Sequence, residues 1–246
     1  MSKKNKSRLD IQTFDSKNIS GNSIIIGGYD NGKTQLAINL IMNICETKNI
    51  EHIYLYYSYT SKHKKFYNHL KKNDIIGNKI ICIESLPDLL SVGKKNDKNN
   101  DKNILLLDEI LNRLLLSDID ELCRNGKLTI ISTVTTINTE FYKYYQNCFI
   151  FKNIPVIKDI FRGFDKKFFS CESYDQFITI YNQTNNYYDF DVVVLSKNNS
   201  SILYTYSYNY LDILGNTERI LKRNIRNLIK KNEQISNVDK KLTIEI

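Results

Sequence analysis

Short apolar runs alternate along this chain with longer stretches in which apolar residues return every three or four positions. The first run, Ser23–Ile26, is followed by two glycines and reads as a buried strand. Thr34–Thr47 comes next, with Leu36, Leu40, Ile41 and Ile44 on one side, the spacing of a helix. His52–Thr60 is a second strand, and "KHKKFYNHLKK" (Lys62–Lys72) a basic helix bearing aromatic residues. Lys79–Ser85 is a third strand, and "LPDLLSV" a short helix with Pro87 near its start. Gly93–Asn103 is the most polar stretch and reads as an exposed loop. Ile104–Glu109 is an apolar strand ending in two carboxylates, and a helix through Leu122 fits the residues after it. Lys127–Thr136 and Cys148–Asn153 are strand-like. Further on, "FITIYN" (Phe177–Asn182), "DFDVVVLSK" and "SILYTYSYN" read as adjacent strands, the last two joined by a turn at Asn198–Ser200. The C-terminal "ERILKRNIRNLIKKNEQ" has the pattern of a basic amphipathic helix, with Ile220, Leu221, Ile225, Leu228 and Ile229 as its apolar members.

Strands alternating with helices predict a mostly parallel sheet with helices on both faces, a three-layer α/β/α sandwich extended by C-terminal strands. The pattern divides the chain into a basic polar arm (1–22), one large domain (23–215) and a basic C-terminal helix and tail (216–246). No internal repeat is present.

One junction carries chemistry. Gly27-Gly28-Tyr29-Asp30-Asn31-Gly32-Lys33-Thr34 fits G-x-x-x-x-G-K-[ST], the phosphate-binding loop. Three of the chain's nine glycines lie here. Glycines let bare backbone approach an anion, successive amides form an anion nest, and the helix that begins here adds its positive end. The span Gly27 to Gln35 would cradle nucleotide phosphates. Lys33 would reach the β- and γ-phosphates, and the Thr34 hydroxyl would ligate Mg²⁺. "ILLLDE" places Asp108 and Glu109 at the C-terminal end of a strand, the edge where open α/β sheets bind ligands. Asp108 would hold the Mg²⁺ shell, and Glu109, next to it, would orient or deprotonate the attacking water. An adjacent Glu is absent from Ras-like GTPases and many kinases. It points to the additional-strand, catalytic-glutamate branch of the P-loop proteins, which includes RecA-like and AAA-type motors. No N-K-x-D follows the carboxylates, so ATP is preferred to GTP.

Composition refines this picture only slightly. The chain has 246 residues, 41% hydrophobic and 25% charged, enough for a sizeable core. Its net charge of +8 suits a polyanionic partner, although heavy use of Lys, Asn, Ile and Tyr also follows from AT-rich codons. Five scattered cysteines and three histidines make neither a disulfide framework nor a zinc site. The N-terminus lacks the apolar core of a signal peptide, and no apolar run approaches the ~20 residues of a membrane span. A soluble protein in a reducing compartment is expected.

At this point the chain resembles the viral genome-packaging ATPases of the FtsK/HerA class, the poxvirus-type motors with relatives in giant DNA viruses and virophages. The resemblance covers roughly residues 20–195. It rests on "GGYDNGKTQL", the tyrosine-rich "HIYLYYSYT", "ILLLDE", "LCRNGKLTIISTVTT" and "YYQNCFIFKN", in that order. It implies an ATPase that drives duplex DNA into a preformed capsid as a pentameric or hexameric ring. The viral capsid or portal vertex would be its partner, and the host cytoplasm or the virion its location. It also implies a polar sensor ending the strand after the carboxylates. Family members usually have Gln there; the matching position is Thr136, with Thr135 beside it. Family members often carry Arg before "NC", where this chain has Tyr145-Gln146-Asn147-Cys148. A cation presented to a neighbour's γ-phosphate would then come from Arg124, taken first, or from Arg162. DNA contacts fall to the clusters Lys3–Arg8, Lys62–Lys72 and Lys222–Lys231, with the Tyr and Phe of the second cluster available to stack on bases. A helicase or recombinase of the same superfamily, or a nucleotide-dependent DNA-binding or assembly protein with little turnover, are the alternatives.

Overall fold

The structure, a computed structural model, describes residues 10–15, 19–29, 31–57, 61–95, 102–124, 128–136, 138–151, 158, 161–162, 174–184, 191–199 and 202–207. In chain order the elements are β1 (Asp10–Thr13), β2 (Ser23–Ile26), α1 (Lys33–Thr47), β3 (His52–Tyr57), α2 (Ser61–Leu70), β4 (Ile80–Cys82) and α3 (Leu86–Lys95). They continue with β5 (Asn103–Asp108), α4 (Leu116–Arg124), β6 (Thr129–Val134), β7 (Asn147–Phe151), α5 (Tyr174–Thr184), β8 (Asp191–Ser196) and β9 (Ile202–Ser207). The strands form one nine-stranded sheet in the order β1-β9-β8-β7-β2-β6-β5-β3-β4. Every pairing is parallel except those of β8 with β7 and β9.

Burial follows position in this order. β2, β5 and β7 are buried along their whole length, as strands covered on both faces must be. β3, next to the edge strand, alternates instead, with Ile53, Leu55 and Tyr57 buried and His52 exposed. Chain moves toward β4 carry α1 and α2, and the return moves carry α3 and α4. Right-handed crossovers put these pairs on opposite faces, which makes the three layers. α1 packs on β2, β5 and β6 through Leu36, Leu40, Ile41 and Ile44, the stripe its period predicts. In β5, covered on both faces, Leu106 is wholly buried. Leu106→Ala should lower stability by about 2–5 kcal/mol, read as a lower midpoint in urea.

Several expectations change. "FITIYN" is not a strand but part of α5: Phe177 and Tyr181, four residues apart, are buried while Thr179 and Asn182 face water. That is a helical period, hidden in the sequence by β-branched residues. Ile110–Leu122 is not one helix. A 3₁₀ turn at Leu111–Arg113 comes first, and α4 starts afresh where the Asp118 carboxylate accepts from the Leu115 amide at 2.9 Å. α3 continues to Lys95, into the stretch read as a loop, and Asp10–Thr13 of the supposed arm pairs with β9. Tyr67 of α2 cannot stack on DNA bases, because its ring is wholly buried; Lys64, Lys71 and Lys72 are on the outside. The clusters Lys3–Arg8 and Lys222–Lys231 lie outside the described residues.

At the rim of the sheet opposite the strands' C-terminal ends, Asn22 ties three segments together. Its side chain donates to the Tyr144 carbonyl at 3.1 Å and accepts from the Ile130 amide at 2.9 Å. It also donates to Cys123 Sγ, whose thiol burial pushes up to about 12.

Candidate nucleotide site

The strand order explains why the loop and the two acids meet. β6 sits between β2 and β5, so the ends of all three strands share one rim. Ile26 lies beside Val134, and Asp108 beside Thr133. The loop leaves β2 while the Gly27 amide still donates to the Val134 carbonyl at 3.2 Å. A Cβ on Gly27 would sit 3.0 Å from the Phe151 ring and 3.1 Å from Lys33 Cγ, so glycine leaves room for the lysine stem. Gly32 has φ of 88°, a left-handed conformation that places it immediately before α1. No acidic residue occupies the first turn of α1, so no side-chain negative charge opposes an anion at its amide end. Asp30 lies outside the described residues.

Lys33 is 5% exposed. Its ammonium donates to the Gly28 carbonyl at 2.7 Å and pairs with Glu109 Oε1 at 2.7 Å. Tyr29 lies at the mouth, 84% exposed, its ring centroid 6.0 Å from the same ammonium. Gln35 is buried at the start of α1. Asp108 is fully buried and accepts from three hydroxyls. Thr34 donates within 2.9 Å of Oδ1 and 3.1 Å of Oδ2, Thr133 reaches Oδ1 at 2.5 Å, and Tyr67 reaches Oδ2 at 2.7 Å. Burial first, then the charge of Asp108 and the bond to it, hold the Tyr67 phenol well above its ordinary range, so it remains a donor.

Glu109 leaves the strand with φ of 57°, the single positive φ outside glycine among the described residues. Its amide donates to the Thr133 carbonyl at 3.2 Å and to Thr133 Oγ1 at 3.0 Å. This turn swings the carboxylate away from the line of β5 and onto Lys33. Held backbone strain of this kind costs of order 1–3 kcal/mol, and the two bonds to Thr133 offset it.

Of the two threonines that follow β6, it is Thr135 and not Thr136 that meets Glu109. Thr136 is exposed and accepts from Asn112 Nδ2 at 3.2 Å. Thr135 instead donates to the Glu109 carboxylate, at 3.2 Å and 3.1 Å from its two oxygens. Thr135→Val should slow turnover roughly tenfold by freeing the Glu109 carboxylate, whereas Thr136→Val should leave it near normal. Steady-state ATPase rates of the two variants check this.

Arg124 is not brought to the site. It ends α4 at the opposite rim, exposed, and pairs with Asp120 one turn earlier. Arg162 is exposed, beside Phe161, which stacks on Phe177 at 5.4 Å. It belongs to the excursion that leaves β7 after Phe151 and returns to β8 opposite the same residue. That excursion begins and ends on the rim that carries Lys33. Sequence reasoning missed Thr133 and Tyr67. Thr133 carries a signal in hindsight, since it and Ser132 are hydroxyls in a buried strand and need partners there; Tyr67 looks like any core aromatic.

The residues suit a magnesium ion bound together with phosphates. Among the described residues no group of three or more His, Cys, Asp and Glu could hold a metal by itself. Thr34 and Asp108 would supply the protein's share, and phosphates and waters the rest, as Mg²⁺ prefers.

This fold and this rim define the chain as an α/β protein of the P-loop NTPase fold. Its fold is shared with the genome packaging NTPase B204 of Sulfolobus turreted icosahedral virus 2. The sulfate complex of that protein superposes with a TM-score of 0.54 at 14% identity, over 78% of this chain and 98% of that one. The AMPPCP complex gives 0.50 at 12% identity, over 80% and 100%. An uncharacterized protein of Acanthamoeba polyphaga mimivirus is 27% identical over 186 residues, 70% of this chain and 71% of its own. No protein-family model matches the chain.

Proposed function

We propose that this protein is an Mg²⁺-dependent ATPase of the FtsK/HerA class, which acts as a homo-oligomeric ring and moves viral double-stranded DNA into a capsid. The carrying observation is that Lys33, Thr34, Asp108 and Glu109 converge on one rim, with Glu109 turned out of its strand onto Lys33. Lys33 would neutralise the terminal phosphates, and Thr34 and Asp108 would hold the metal. Mg²⁺ held there would supply charge neutralisation to the phosphates. Glu109, steadied by Thr135, would orient the attacking water and accept its proton.

The DNA-packaging part draws support from three sources. The fold is shared along almost the whole length of a protein described as a viral genome packaging NTPase, whose structures include complexes with ATP-γS and AMPPCP. The mimivirus relative is viral. The chain's +8 charge favours a polyanion, and α2 carries part of it on an exterior position, Lys64. A cation from the neighbouring subunit would complete the site, and the topology favours Arg162 over Arg124 for it. The protein would work in the cytoplasm of an infected cell or on the virion. Among the described residues no helix is long and apolar enough to cross a membrane.

An ATPase assay with and without duplex DNA, run beside native mass measurement, tests the proposal. Stimulation by duplex DNA and a ring mass are expected. Strand separation on forked DNA would move the assignment to a helicase. ATP binding without hydrolysis, even with DNA and Mg²⁺, would move it to a nucleotide-dependent assembly protein.

A further inference from the structure

We propose that Tyr67 is a positioning residue for the metal carboxylate, so that helix α2 sets how tightly the site grips a divalent cation. This rests on reading Thr34 and Asp108 as the metal holders. Tyr67 is wholly buried, and its hydroxyl donates to Asp108 Oδ2 at 2.7 Å. Thr133 holds the other oxygen at 2.5 Å from β6. The carboxylate is therefore pinned on both oxygens, by a helix on one side and a strand on the other. Thr34 also reaches both oxygens, but from the first turn of α1, where it is only partly buried. Tyr67 and Thr133 are the partners anchored in the core.

The torsion that turns a carboxylate about its last bond is broad, so a group held on one oxygen can swivel. Held on both, it presents fixed lone pairs. The Tyr67 ring is itself located by its neighbours. It lies 4.6 Å from the Tyr57 ring at 40°, and meets Phe66 edge-on at 5.3 Å. Tyr57 is the residue beside Asp108 in the β3–β5 register. The stack that aims the phenol thus stands on the strand adjacent to its target. A phenylalanine would fill the same core space, and a buried hydroxyl costs free energy unless it is bonded. The hydroxyl is explained by Asp108. Partners that orient a ligand in this way affect metal affinity far more than they affect packing.

The test is Tyr67→Phe, with Tyr145→Phe as the control that removes another buried hydroxyl, one bonded to Ser132. Binding of a fluorescent ATP analogue is titrated with Mg²⁺ and repeated in EDTA. Tyr67→Phe should raise the Mg²⁺ half-saturation about tenfold and leave the affinity in EDTA unchanged. Tyr145→Phe should change neither. An unaltered Mg²⁺ response in Tyr67→Phe overturns the inference, as does an equal loss with and without Mg²⁺, which would mark general damage to the core. A wild-type protein that binds no more tightly with Mg²⁺ than in EDTA overturns the metal reading itself, and this inference with it.

Discussion

Glu109→Gln should cut ATP hydrolysis by about 10²–10⁴-fold, the contribution of a positioned base, while the protein still binds ATP. Glutamine keeps the size and one acceptor of the side chain but cannot take a proton from water. A second effect accompanies the first. In the structure Glu109 occupies Lys33 at 2.7 Å, so an incoming γ-phosphate must compete for that ammonium. Removing the negative charge ends the competition, and ATP should bind more tightly than to the unaltered chain. Hydrolysis by phosphate release and affinity by equilibrium binding separate the two effects. DNA-stimulated hydrolysis that continues undiminished in Glu109→Gln would eliminate the mechanism.

Lys33→Ala should weaken ATP binding by about 100-fold, since truncating one member of a buried, hydrogen-bonded charge pair costs roughly 2–5 kcal/mol. The ammonium does two things here that no neighbour can replace. It closes the loop onto itself through the Gly28 carbonyl, and it offsets the carboxylate of Glu109. Without it, Glu109 would face the phosphates as a bare like charge. The loss should therefore exceed what removal of one phosphate contact predicts. The double variant Lys33→Ala with Glu109→Gln should recover part of the affinity, which titration calorimetry can measure.

The centre of the fold was legible because its strands obey a simple physical rule. A strand covered on both faces must be apolar throughout, and Ser23–Ile26, Ile104–Leu107 and Cys148–Phe151 announce themselves in that way. The loop was legible because only glycine can bring backbone to phosphate. The periphery was not. The residues Phe177–Asn182 are β-branched and aromatic by composition but helical by period, and composition misled. β1 has four residues and finds its partner in β9, which no local signal could reveal. Within the site, Lys33, Thr34, Asp108 and Glu109 could be read from spacing alone. Thr135 and Thr136 are neighbours with the same side chain. Only the pleat of β6 and the turn after it decide that one reaches Glu109 and the other Asn112. Arg124 lies far from Lys33 of its own chain for a topological reason: a helix returning from β5 to β6 must end at the far rim.

The pairing of β2 has a consequence for biosynthesis. Ser23 lies between Ile131 and Asn147, so the strand that launches the loop has no neighbour until more than half the polypeptide has emerged. At roughly 5–20 residues per second, Ile24, Ile25 and Ile26 wait several seconds or more on the ribosome without their sheet. The glycine-rich loop is thus set in place late, and a nascent chain stalled before β6 would present a sticky isoleucine segment to chaperones in place of a finished rim.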